Sequence, residues 1–113
     1  MTSAPGEPSR IRVGQTLQVP DAGASLTFEA VRSDSRCPKG TQCIRAGEAV
    51  VALAWRDSKG ESTVLTLNVP PGRGATRVWQ GHAIEVVRLE PEAEADVRIA
   101  PGDYVVTLGV RKQ

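Results

Sequence analysis

The chain is poor in the residues that most often carry chemistry. Aromatic side chains make up 4% of its 113 residues, there is one histidine, His82, and there are two cysteines, Cys37 and Cys43. Structural zinc takes four nitrogen or sulfur ligands, so these residues cannot close such a site within one chain. Neither sign of charge dominates, with 14 Lys and Arg against 13 Asp and Glu. Nothing global therefore draws the chain to nucleic acid or to an anionic membrane, and any electrostatic function has to be local. Apolar residues amount to 40%, yet no run approaches the ~20 needed to span a bilayer, so a soluble chain without a transmembrane segment is expected.

This length corresponds to one modest core and one domain. Residues 1–10, MTSAPGEPSR, have no periodic apolar face and the composition of a flexible tether, which leaves 11–113 for the folded domain. The tether also lacks the basic start and apolar stretch of a secretory signal. It reads as the start either of a cytosolic protein or of a mature region behind a new methionine.

From Ile11 onward the period is that of strands. In IRVGQTLQV the residues Ile11, Val13, Leu17 and Val19 alternate with polar neighbours, which predicts one half-buried strand. PDAG turns the chain, and SLTFEAV alternates again through Leu26, Phe28 and Ala30. EAVVALAW is apolar on both faces, as a central strand is, and places Trp55 with Val51 and Leu53. DSKG supplies a hairpin turn before STVLTLNV, and PPGRG ends that strand. ATRVWQ, HAIEVVRL and DYVVTLGVRK follow, the last two separated by the acidic connector EPEAEAD. No segment sustains a helical period. About seven strands at this spacing predict an all-β antiparallel sandwich of immunoglobulin-like or Greek-key type, with a small barrel as the alternative.

The cysteines lie in SDSRCPKGTQCIRAGEAV, residues 33–50, a polar, turn-rich connection. A redox pair of the thioredoxin kind has two residues between its cysteines and a helix to lower the thiol pKa, and this stretch offers neither. Two free buried thiols are the alternative to a disulfide. The exposed, turn-forming intervening residues favour Cys37–Cys43 as a disulfide formed in an oxidising compartment. On the chain-entropy model so small a ring stabilises the fold by about 2 kcal/mol.

DSRCPKGTQC followed by AGEAVV resembles a signature, SRCP, a second cysteine and an Ala-Gly pair, found in uncharacterised bacterial secreted proteins and lipoproteins. APGDYVVTLGV resembles their closing strand. The resemblance implies a small exported β-domain, periplasmic, extracellular or anchored at the outer surface, with a lipid on the precursor in many members. It implies no activity and no cofactor.

Catalytic and metal constellations are absent from the pattern. His82 opens a strand with no acid-base partner legible nearby. Glu90, Glu92, Glu94 and Asp96 alternate with Pro and Ala as a solvated linker does, and lack the glycine punctuation of a calcium loop. Gly72 and Gly74 lack the lysine and helix of a phosphate loop. Trp55 is expected in the core, and Trp79, beside a glycine turn, at its edge. No catalytic residue, metal or cofactor is assigned.

Between Arg32 and Arg45 four basic residues face Asp34 alone, which makes Arg36, Lys39 and Arg45 a candidate binding loop for an anionic envelope component or protein. The expected function is thus a non-enzymatic exported binding or accessory module of the bacterial envelope. The alternative is a protease inhibitor presenting Lys39 or Arg45 on the Cys37–Cys43 loop.

Overall fold

In the computed structural model, which describes residues 7–113, the chain forms two four-stranded antiparallel sheets packed face to face and not closed into a barrel. In chain order the strands are β1 Ser9–Arg12, β2 Thr16–Val19, β3 Ala24–Asp34, β4 Ala49–Arg56, β5 Ser62–Val69, β6 Ala75–Trp79, β7 His82–Glu90 and β8 Val105–Lys112. One sheet runs β1-β8-β7-β6 and the other β2-β3-β4-β5. Each is a meander of consecutive strands, apart from β1 lying beside β8.

The count exceeds the expected seven because IRVGQTLQV is not one strand. Residues 13–15 cross between the sheets, with Gly14 at φ +91° and its N–H donating to the Phe28 carbonyl over 2.7 Å. Ile11 and Leu17 thus face one core from opposite sheets, which an unbroken alternation cannot reveal. The folded region also starts earlier than expected. Ser9 and Arg10 pair with Leu108 and Thr107, so the last two residues of the supposed tether belong to a sheet. Residues 1–6 of that tether lie outside the described residues.

The core is the layer of inward side chains that both sheets contribute. Leu26, Phe28, Val51, Leu53 and Leu65 from one sheet, and Ile84, Val86, Val106 and Leu108 from the other, are completely buried. Each such side chain contributes about 1.5 to 3 kcal/mol. β4 lies between β3 and β5, which accounts for its apolar residues on both faces. Trp55 is 2% exposed and stands beside Val51 and Leu53 as the alternation predicted. Across the open side, where a barrel would close, Arg77 Nη1 donates to the Thr66 carbonyl at 3.0 Å.

Connections of different kinds collect at the two ends. Residues 20–23, 57–61 and 80–81 make tight turns at one, here the hairpin end. The long connections 35–48 and 91–104 meet at the other, the loop end, together with the turn 70–74. No helix among the described residues is long and apolar enough to cross a membrane.

Candidate functional site

At the loop end the chain leaves β3 through Asp34, Ser35 and Arg36. In extended backbone, residues two apart point the same way, so the carboxylate and the guanidinium meet. Arg36 Nε donates to Asp34 Oδ1 and Arg36 Nη2 to Asp34 Oδ2, both at 2.8 Å, in a fork. From the residue just before β8 of the other sheet, Tyr104 Oη donates to Asp34 Oδ2 at 2.9 Å. Arg36 also donates from Nη2 to the Pro91 carbonyl at 3.0 Å and from Nη1 to the Leu89 carbonyl at 3.4 Å. β6 has already ended opposite Val86, so the guanidinium occupies the edge of β7 where no strand pairs. The cluster latches one sheet to the other.

The electrostatics follow from these contacts. The hydrogen bond from Arg36 holds the Asp34 carboxyl below its ordinary range against the opposing effect of burial, and the Tyr104 hydroxyl adds to the lowering. The same bond raises the Arg36 pKa further. Burial, and then the hydrogen bond to the Asp34 carboxylate, push the Tyr104 hydroxyl up to about 12.

Ser35 and Gly47 shape the base of the loop. Ser35 N–H and Oγ–H both donate to the Glu48 carbonyl at 2.9 Å, and Ser35 Oγ accepts from Glu48 N–H at 3.2 Å. Gly47 sits at φ +69°, where a β-carbon would collide with the Ser35 carbonyl. Only glycine fits both constraints. Cys37 N–H then donates to the Ala46 carbonyl at 2.7 Å, and the Cys37–Cys43 disulfide closes the ring with its Cα atoms 6.0 Å apart. Inside the ring Thr41 Oγ1 donates to the Pro38 carbonyl at 2.7 Å. Past it, Ile44 is fully exposed and Arg45 is exposed.

The three residues of the candidate binding loop thus have different fates. Arg36, expected at the surface, is 7% exposed and serves the latch, because Asp34 and two strand-end carbonyls outcompete water for its donors. Lys39 is exposed, but its N–H donates to the Ala93 carbonyl at 2.7 Å and its Nζ lies 3.7 Å from Glu92 Oε2. Arg45 points into solvent without an ion pair among the described residues. A parallel bridge between Lys39 and Glu94 lays the basic loop along the acidic connector, so two runs far apart in sequence offset one another in space.

Between this clasp, the 70–73 turn and the end of β7 lies a cleft of about 710 Å³. Its walls include Cys37 and Lys39 on one side, Pro70, Pro71 and Arg73 on another, and Val87 and Arg88 from β7. The β7 wall owes its form to a bulge between Val86 and Arg88. Strict alternation from Ile84 and Val86 would turn Arg88 into the core. The extra residue resets the phase, so Val87 and Arg88 both face out and Leu89 faces in.

The two tryptophans and the histidine are at the hairpin end. His82 is buried, with its ring centroid 5.8 Å from that of Trp55 and its Nδ1 3.0 Å from the Gln80 carbonyl oxygen. Trp79 is half-buried against the core, with the Arg77 guanidinium 6.0 Å from its ring centre. Among the described residues no three His, Cys, Asp or Glu side chains are grouped as a metal would require.

In the sequence pattern Asp34 stands only as an opposing charge, and Tyr104 only as part of the strand DYVVTLGVRK. An Asp-x-Arg spacing at a strand end was the signal for the first. Nothing local marks Tyr104, whose partner is remote in the chain. The stretches DSRCPKGTQC and APGDYVVTLGV meet at this latch. Family models, curated proteins and solved structures, compared with the chain, give no match.

Proposed function

We propose that the chain is a non-enzymatic, exported binding or accessory module of the bacterial envelope, which engages its partner with the loop end. The observation that carries this reading is the clasp of the disulfide-closed loop against the 91–104 connector, which holds one rim of the cleft in place. Presenting a surface already ordered lowers the entropy lost on docking, and a binding module gains from that. The Cys37–Cys43 disulfide supports an oxidising compartment, periplasmic, extracellular or at the outer surface, and a lipid anchor on the precursor belongs to the same reading. Burial of His82 beside Trp55, at the end of the sandwich away from the cleft, supports a non-catalytic role. The protease-inhibitor alternative draws less support, since Lys39 is held by Ala93 and Glu92 and only Arg45 of the two specificity residues stands clear.

Co-sedimentation with purified bacterial envelope fragments tests the proposal. The wild-type chain is expected to pellet with them and a Cys37→Ser/Cys43→Ser variant to pellet less. Recovery of all the wild-type protein in the supernatant would overturn the proposal.

A further inference from the structure

We infer that the cleft at the loop end is an oxyanion site, in which the guanidiniums of Arg73 and Arg88 receive the carboxylate or phosphate group of a small ligand. The inference rests on the loop end being a recognition surface and names the chemistry that this surface would select. Six charged residues line the cleft, and four already have partners. Arg36 is bound to Asp34, Lys39 faces Glu92, and Glu90 Oε1 accepts from Arg10 Nη2 at 3.1 Å. Among the described residues Arg73 and Arg88 make neither an ion pair nor a side-chain hydrogen bond, so the free charge of the cleft is positive.

Backbone geometry holds both arginines on the cleft. The β7 bulge turns Arg88 out of the core beside Val87. Gly74 passes so close to β7 that a β-carbon there would come within 2.6 Å of the Val86 carbonyl oxygen, which pins the turn carrying Arg73 against the bulge. Pro70 and Pro71, on the adjoining wall, have no backbone N–H to offer, and the two guanidiniums are the cationic side chains of the cleft without an ion-pair partner among the described residues. A guanidinium presents its N–H groups as a planar fork that fits carboxylate or phosphate oxygens in pairs. A volume of about 710 Å³ falls within the ~300 to 1,000 Å³ typical of small-ligand sites.

The test is titration of the ¹⁵N-labelled chain, at constant ionic strength, with succinate and with glycerol phosphate, followed through its amide resonances. Their neutral counterparts, succinamide and glycerol, serve as controls. Saturable shifts at Gly72, Arg73, Val87 and Arg88 are expected with at least one anion and not with its neutral counterpart. The better anion identifies the source of the oxygens. Arg73→Gln/Arg88→Gln, with its spectrum away from the cleft unchanged, is expected to weaken binding at least ten-fold, and Arg73→Lys/Arg88→Lys, which keeps the charge without the fork, less. Equal response to the neutral compounds, no saturable shift with either anion, or undiminished binding by the glutamine variant would overturn the inference. Envelope co-sedimentation of the glutamine variant separates the two readings. If it pellets like wild type and binds anions like wild type, the oxyanion site fails while the envelope reading stands. If anions bind the wild-type cleft but the wild-type chain stays in the supernatant, the reverse holds.

Discussion

At the hairpin end the chain reverses within two residues at Gln80 and Gly81, and the side chains beneath are Trp55, Trp79 and His82, packed largely without polar partners. At the loop end the same two sheets are joined by a carboxylate, a guanidinium and a phenol in direct contact, with a disulfide and two long connections above them. Burial of apolar surface holds the first end together and depends little on exact geometry. The second depends on every donor and acceptor finding its partner, because an unpaired buried charge is costly. That arrangement frees the long connections to shape a cleft, whereas the hairpin turns leave little chain from which to build one.

Four predictions break or sharpen this contrast, in descending size. Asp34→Ala strands the Arg36 guanidinium and is expected to cost about 3 kcal/mol in urea unfolding, the low end for a broken buried pair because Asp34 keeps some exposure. Removal of the disulfide, by Cys37→Ser/Cys43→Ser, is expected to cost about 2 kcal/mol in the same measurement, with the hairpin-end amides keeping their relative order of hydrogen-exchange protection.

Tyr104→Phe removes a hydrogen bond to a charged group and is expected to cost about 1.5 kcal/mol near neutral pH. It also changes the alkaline limb of stability. The hydroxyl, ordinarily near 10.0, is pushed up to about 12, so at intermediate pH the unfolded chain has lost a proton that the folded chain keeps. Stability from this group is therefore complete below the ordinary value and is lost as pH rises through the folded one. The phenylalanine variant is expected to lack that loss between those two values. Asp34 behaves in the opposite sense. Its carboxyl lies below the ordinary 3.8, so its contribution is present above that value and is lost as pH falls through the lower folded value.

The smallest effect belongs to the hairpin end. Gln80 and Gly81 both have positive φ, 47° and 76°, as a two-residue hairpin of this twist requires. Gln80→Asn is expected to raise stability by about 0.5 kcal/mol, read as an upward shift in Tm without change at the loop end.

Much of the strand pattern was legible because a half-buried strand writes its inward face into the sequence with a period of two. Leu26 with Phe28, Val51 with Leu53 and Trp55, and Val106 with Leu108 all stand where that period put them. It misled at IRVGQTLQV, where the alternation continues while the chain changes sheets. At HAIEVVRL the inward series Ile84, Val86, Leu89 steps by two and then three, as a bulge requires.

By itself the sequence determined that this chain is an antiparallel β protein with one core and a small cysteine-closed loop, because alternation, turn chemistry and ring size are local properties. Only the tertiary structure decided which charges are free. Arg36 and Arg88 are alike as sequence, each a basic residue within or beside a strand. One is buried in a latch because the end of β7 brings the Leu89 and Pro91 carbonyls to it beside Asp34, and the other stands on a cleft because a bulge turns it outward. The worth of a charge is set by what the fold brings within a few ångströms of it: Asp34 is two residues from Arg36, but the Leu89 and Pro91 carbonyls that complete its burial lie far away in the chain.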